Sequence, residues 1–138
     1  MSSSGYIAIA LQADDGLYLS RINRGSENPI EAAKKEIDVF SKFRVVTVGP
    51  QQIALLADNG LYLSRINRGA TNPIEAAKQN VDVFCLFTVS NVGPNKITLR
   101  ADNGLYLSRI NRGSINPIEA AKERLDVYCE FAVTTFFE

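Results

Sequence analysis

Five polar side chains recur three times along the chain, at a constant interval of 44 residues. Planar amides, carboxylates and basic groups make paired hydrogen bonds, and hydroxyl-rich ligands such as sugars are recognised by such groups. We therefore predict ligand binding at five positions in each copy of the repeat. The fifteen residues are Asn23, Arg24, Glu31, Lys34, Asp38, Asn67, Arg68, Glu75, Lys78, Asp82, Asn111, Arg112, Glu119, Lys122 and Asp126.

Catalysis is a poor fit to these residues. The chain has no histidine, so neither a Ser-His nor a Cys-His nucleophile pair can form. The Cys and His spacing of a metal site and a phosphate-binding glycine loop are both absent. A carboxylate pair such as Glu31 with Asp38 is the one catalytic alternative, but three identical active sites in so short a chain would be unusual. We predict no enzymatic activity, no metal and no cofactor.

A purely structural explanation of the repeated polar residues stays open. Three acidic and three basic residues recur in every copy, and ion pairs within a copy would satisfy the backbone and side chains of long loops. In the first copy these are Asp14, Glu31 and Asp38 against Arg21, Arg24 and Lys34. A tyrosine repeated as Tyr18, Tyr62 and Tyr106 fits either an aromatic face beneath a sugar or a core position.

The elements that position these residues follow from the repeat itself. Its copies begin at Ala13, Ala57 and Ala101, and 57 − 13 = 101 − 57 = 44. The windows 9–45, 53–89 and 97–133 are identical in all three copies at 25 of 37 positions. We predict one domain over residues 1–138, built from repeats at about 5–48, 49–92 and 93–136.

Each copy contains segments with the alternation of a β-strand. Ile9, Leu11 and Ala13 recur unchanged while the residues between them vary, which is typical of a half-buried strand. The Asp-Asp/Asn-Gly sequence from Asp14 predicts a tight turn, and the LYLSRI segment a second strand. In the last segment Val39, Ser41, Phe43 and Val45 share one parity that stays apolar or small, so we predict that they face the core.

The third segment, NPIEAAK, is ambiguous. Asn28 before Pro29, with Glu31 three residues on, is a helix-start signal and favours about two helical turns. The second strand nevertheless needs a partner, and this segment is the adjacent one. We predict a short strand, since tertiary context overrides weak local preference.

Four short strands per copy and three copies indicate a β-trefoil, in which six strands close a barrel and three hairpins cap one end. A three-bladed propeller is the formal alternative, but propellers generally have four or more blades.

The composition of the chain argues against nucleic acids and membranes as partners. The 15 basic and 15 acidic residues give a net charge of zero, which excludes the electrostatic pattern of a nucleic-acid-binding protein. No apolar run approaches a membrane span, and the MSSSGYIAIALQ start lacks the features of a signal peptide. We expect a cytoplasmic protein or one secreted by a leaderless route. Cys85 and Cys129 occupy equivalent positions, and we expect both to be reduced and buried.

The DNGLYLS strand followed by a Phe-x-Val strand resembles the repeat of fascin-type and agglutinin-type β-trefoils. The three near-equal copies, each with a Gly-x-x-Asn-Pro loop, are similar to mussel β-trefoil lectins that bind galactosides at three sites. The mussel-type sites use histidines, and this chain has neither those nor the Gln-x-Trp of ricin-type trefoils, so no site residue is implied by the resemblance.

The resemblance and the three-fold polar set together favour a multivalent lectin with three equivalent sites, glycans as partners and a possible homodimer. A fascin-like cytoskeletal binding module is the second hypothesis, although fascin-type bundling uses several trefoils in one chain. A trefoil protease inhibitor is the third, although such inhibitors present a single irregular loop.

Overall fold

A computed structural model describes residues 5–138, and within that range the chain folds into twelve short strands with no α-helix. The strands are numbered along the chain and fall into two sets of six. The first set is β1, β4, β5, β8, β9 and β12, at Ile7–Gln12, Phe43–Gly49, Gln52–Leu56, Phe87–Gly93, Lys96–Arg100 and Phe131–Phe137. The other six are β2, β3, β6, β7, β10 and β11, at Tyr18–Arg21, Ile30–Lys34, Tyr62–Arg65, Ile74–Lys78, Tyr106–Arg109 and Ile118–Lys122. Short 3-10 helices lie at Val39–Ser41, Val83–Cys85 and Val127–Cys129.

The six strands β1, β4, β5, β8, β9 and β12 close into a barrel. Antiparallel pairing runs from β1 to β4, β5, β8, β9 and β12, and β12 then pairs with β1. The closing pair is well formed, with six residues in register from Ile7 opposite Phe137 to Gln12 opposite Ala132. Closure leaves the barrel without an open edge, and it confirms the predicted six-stranded barrel.

The other six strands form three hairpins, and these confirm the prediction of a strand in the third segment. In the first copy β3 pairs with β2, with Ser20 opposite Glu31. The Ala32 amide also donates to the carbonyl oxygen of Asn116 in another copy, at 2.9 Å, and the two equivalent bonds repeat this contact. A strand satisfies these backbone groups on both sides, so its tertiary partners outweigh the local helix-start signal.

The predicted turn after Ala13 is also present. The glycine at its third position has a positive φ, +85° at Gly16, a backbone conformation that an L side chain rarely adopts. The side chain of Asp15 accepts a hydrogen bond from the Leu17 amide at 3.0 Å, and Asn59 and Asn103 do the same in the other copies. The turn is therefore fixed by its own residues.

The core is three-fold, as its sequence is. Phe43, Phe87 and Phe131 are fully buried, and the alternating residues of the first segment pack around them. The prediction that this segment is half-buried is wrong at one variable position, since Ala10, Ala54 and Thr98 are buried too. At the next variable position Gln12 and Leu56 are partly exposed and Arg100 is exposed.

The last segment departs from the prediction at its start. Val39 lies in a 3-10 helix and is 60% exposed, so it does not share the inward face of Phe43. The Asp38 side chain caps this helix by accepting from the Phe40 amide at 3.0 Å, which takes the chain out of strand geometry until Lys42. Cys85 and Cys129 are buried and not joined in a disulfide, as predicted.

Candidate functional site

The predicted site residues fall into two groups on each capping hairpin. The first group lies in the loop between β2 and β3, where Arg24 reaches Glu31. The Arg24 guanidinium donates from Nε and Nη2 to the two carboxylate oxygens of Glu31, at 2.7 and 2.8 Å. Glu31 is buried, whereas the Arg24 side chain is 45% exposed. The hydrogen bond to Glu31 raises the pKa of Arg24 further, so the pair is a charged anchor for the loop.

Asn23 shapes the same loop. Its side-chain oxygen accepts from the Gly25 amide at 3.0 Å, and Gly25 has a φ of +81°. This is an Asx turn, in which the side chain replaces a backbone acceptor. The amide nitrogen of Asn23 makes no hydrogen bond within residues 5–138 and stays available as a donor.

The second group joins the end of β3 to the 3-10 helix. Lys34 Nζ donates to Asp38 Oδ2 at 2.7 Å, and the other oxygen of Asp38 accepts from the Ser41 hydroxyl at 3.1 Å. In the other two copies the thiols of Cys85 and Cys129 replace that hydroxyl at 3.4 Å. The hydrogen bond from the lysine is the main cause of a lowered pKa at Asp38, Asp82 and Asp126.

Acid should therefore destabilise the protein through these three carboxylates. Their pKa values are lower in the folded than in the unfolded state, where an aspartate has a pKa of about 3.9. The stability that they add is present above that value and is lost as the pH falls through the lower, folded-state pKa. Urea unfolding from pH 7 to pH 2 should show this loss, and the triple variant D38N/D82N/D126N should show a flatter pH dependence. An unchanged slope would contradict the assignment.

An exposed aromatic ring lies beside the lysine of the second group, and it was not among the predicted site residues. Phe40, Phe84 and Tyr128 are 39%, 39% and 41% exposed. The Lys34 ammonium lies 4.9 Å from the centroid of the Phe40 ring, and the Arg21 guanidinium carbon lies 5.4 Å from it. Both distances are typical of cation–π contacts. The two other copies repeat the arrangement.

In the third copy the ring borders a pocket of about 220 Å³. Its lining residues are Arg109, Ile110, Asn111, Lys122 and Tyr128. The structure thus brings the predicted Asn111 and Lys122 together, next to a ring and a guanidinium that were not among the predicted site residues. Arg112 and Glu119 are paired with each other and do not line this pocket. Asp126 takes part by holding Lys122 at 2.6 Å.

The arginine beneath the ring corrects one sequence-based expectation. Arg21 does not pair with Asp14 of its own copy. It donates from Nε and Nη2 to both oxygens of Asp58 in the next copy, at 2.7 and 2.8 Å, and from Nη1 to Asn28 at 2.7 Å. Arg65 pairs likewise with Asp102. Two ion pairs thus lie within each copy, and the third joins neighbouring copies.

Comparison with solved structures identifies the architecture. No protein-family model matches the chain, and no curated protein matches it in sequence. The designed three-fold symmetric protein ThreeFoil superposes with a TM-score of 0.77 at 15% identity, over 92% of this chain and 97% of its own. The chain is a β-trefoil.

Two further solved structures are similar to this chain; one is of a protein of unknown function and the other is of a lectin. A Caenorhabditis elegans protein of unknown function has a TM-score of 0.75 at 17% identity, over 94% of this chain and 93% of its own. The Polyporus squamosus lectin, solved with the epitope Neu5Acα2-6Galβ1-4GlcNAc bound, has a TM-score of 0.75 at 9% identity, over 96% of this chain and 50% of its own. At these identities the likeness shows the fold alone.

The described residues were also compared with the requirements of a metal site and of a membrane-spanning helix. Within the described part of the chain, no cluster of His, Cys, Asp or Glu residues is arranged to hold a metal ion. Between residues 5 and 138 no helix is long and apolar enough to cross a membrane.

Proposed function

We propose that the protein is a multivalent lectin, with one carbohydrate site on each copy of the repeat. The observation that carries the proposal is the half-exposed ring at position 40, 84 or 128, which a lysine ammonium flanks in every copy and which shares a pocket with Asn111 in the third. A ring gives a sugar an apolar face, and the ammonium and amide supply donors to its hydroxyl oxygens. The Polyporus lectin supports the proposal as a carbohydrate-binding protein with the same fold.

In this proposal the fifteen predicted residues have two roles. Asn23 and Lys34, with their counterparts, contact the ligand. Arg24 with Glu31 fixes the loop that carries Asn23, and Asp38 holds Lys34 in place. We propose no catalytic role, glycans or glycoconjugates as partners, and a cytoplasmic or leaderlessly secreted protein, with a homodimer as an option for its assembly.

The three sites share their polar groups but not their ring. The third copy has Tyr128 where the others have Phe40 and Phe84, and the phenol hydroxyl adds one hydrogen-bonding group. We therefore expect two equal sites and one of different affinity rather than three identical ones. Each alone should be weak, because a small polar ligand offers few apolar atoms, and simultaneous engagement should strengthen surface binding by about 10²- to 10⁴-fold.

A glycan array followed by calorimetry tests this directly. Phe40→Ala, Phe84→Ala and Tyr128→Ala, combined one by one, should lower the stoichiometry stepwise from three to zero. Binding to a glycan-coated surface should fall much faster than the affinity of a single remaining site.

The matched control is Val83→Ala, which truncates the exposed neighbour of Phe84 in the same 3-10 helix and should leave binding unchanged. Undiminished glycan binding in the folded triple variant would place the site elsewhere. Failure of the native protein to bind any glycan would refute the proposal.

A further inference from the structure

Three surface pockets lie between neighbouring copies, and the rings at positions 40, 84 and 128 are not among the residues that line them. We call these pockets notches. Each is bounded by the Ala-Asp-x-Gly turn of one copy and by the start of the last strand of the copy before it. The first notch is lined by residues that include Val39, Lys42, Arg44, Asp58 and Gly60. Their volumes are about 300, 360 and 290 Å³.

Four lining residues of the notch are the same in all three copies, and we call them its floor. The exposed valine at position 39, 83 or 127 belongs to this floor, together with the alanine, aspartate and glycine of the turn. Burial in the core therefore does not account for a valine at this position in every copy. The notch is thus a repeated surface feature with a constant base.

The walls, in contrast, differ in charge. Position 42 is Lys42 in the first notch, Leu86 in the second and Glu130 in the third. Position 44 is likewise occupied by Arg44, Thr88 and Ala132. The first notch therefore holds two neighbouring cations at these positions, whereas the second and third hold a single cation each, Arg100 and Lys96, at other positions of their lining.

Aromatic rings hold both of these cations. The Arg44 guanidinium carbon lies 4.2 Å from the centroid of the Tyr6 ring, and Lys42 Nζ lies 4.4 Å from that of Phe136. Arg44 makes no ion pair or side-chain hydrogen bond within residues 5–138, so all its N–H donors are free. A cation–π contact orients a cation without pairing it with a negatively charged group.

Two carboxylates border the first notch as well. Both oxygens of Asp58 accept hydrogen bonds from Arg21, which neutralises that group. Glu138 lies 3.6 Å from Lys42 Nζ, a distance too long for a strong hydrogen bond. Among residues 5–138, Glu138 is thus the one carboxylate that competes for Lys42, and Arg44 has no such competitor.

We propose that the first notch binds an oxyanion, which is a carboxylate, sulfate or phosphate group carried by a small ligand. Arg44 would grip the group with two parallel N–H donors, and Lys42 would add a point charge. The volume leaves room for a monosaccharide-sized body against Val39. The site is separate from the proposed glycan sites, and it does not depend on them.

A titration followed by NMR at low ionic strength tests the proposal. Sodium sulfate, glucuronate and galactose 6-sulfate should each shift the Arg44 Nε–H and Gly60 amide signals with one site per chain, and neutral galactose should not shift them. If galactose 6-sulfate binds more tightly than sulfate, the floor of the notch contributes to the affinity for the sugar. If the two bind equally, the anion alone is recognised. Added salt should weaken the binding of sulfate and of galactose 6-sulfate.

Substitutions separate this site from general surface charge. Lys42→Ala with Arg44→Ala should weaken binding at least tenfold, whereas Arg124→Ala, at an exposed arginine outside the notch, should not change it. Glu138→Gln should strengthen binding a few-fold, because it removes the competing carboxylate. Absence of any shift in the native protein, or an unchanged affinity in the double alanine variant, would overturn the proposal.

The second notch supplies a gain-of-function test on the same backbone. Leu86→Lys with Thr88→Arg should create a second oxyanion site, read out on the Gly104 amide. We expect it to be weaker than the first, because Pro50 and Val48 stand where Tyr6 and Phe136 stabilise the native cations. A folded variant with no second site would show that the two charges do not make the site.

Discussion

Replacing Phe43, Phe87 or Phe131 with alanine should each cost about 3–5 kcal/mol of unfolding free energy, the usual cost of truncating a buried aromatic side chain. All three rings are fully buried, and each occupies the same position in its copy. The three losses should therefore be about equal. Equilibrium unfolding in guanidinium chloride measures them.

The chain offers its own control in Phe137, whose side chain is 84% exposed. Phe137→Ala removes the same atoms from the surface and should change stability by no more than about 0.5 kcal/mol. A loss below about 1 kcal/mol at any one of the three buried positions would mean that the core is not three-fold in energy.

Arg21→Ala should be nearly as damaging, although the residue is charged. The Arg21 and Asp58 side chains are only 10% and 12% exposed, so the substitution leaves the Asp58 carboxylate and the partly exposed Asn28 without their partner. Removing one member of a buried pair costs about 3–5 kcal/mol, and we expect a value of about 3 because some water reaches these groups. Arg65→Ala and Arg109→Ala should behave alike, since each makes the same contacts.

A double-mutant cycle distinguishes the pair from the packing of the arginine stem. Arg21→Ala with Asp58→Ala should cost clearly less than the sum of the two single variants, because the orphaned charge is gone. Arg124→Ala, at an exposed arginine, is the control and should have almost no effect. Additive losses in the cycle would show that the ion pair itself contributes little.

The interval of 44 residues made the architecture predictable, and it also concealed one set of contacts. A bond from Arg21 to its own copy and a bond to the next copy leave the same sequence pattern, because Asp14 and Asp58 are equivalent. The acidic and basic partners were therefore predictable as types. Which copy supplied the partner was not, and the structure decides for the next copy.

The secondary structure was likewise predictable only in part from the sequence. The strand at Ile30–Lys34 was predictable only from the need of its neighbour for a partner, and its bonds to Asn116 of another copy could not be read from local sequence. The 3-10 helix at Val39 was not predictable from its valine, because a valine that recurs in every copy is typical of a core position. Asp38, two residues before an exposed aromatic residue, was the signal for a capped turn.

The candidate site was half predictable. Asn111 and Lys122 were selected because they do not vary, and they do line a common pocket. The ring beside them changes from phenylalanine to tyrosine between copies, so a criterion of unchanged residues does not select it, although both side chains have an aromatic face. The notches could not be predicted at all, since their walls come from separate strands and their side chains differ.

The Arg–Asp pairs between copies run from the first copy to the second, from the second to the third, and from Arg109 of the third back to Asp14 of the first. The pairing of β1 with β12 closes the barrel in the same circular order. In an open array of repeats, the terminal units have one neighbour and can fray independently of the middle. Here every copy has two neighbours, so none is a terminal unit. The three copies should therefore unfold together in one cooperative transition, with no stable molecule of one or two copies along the way.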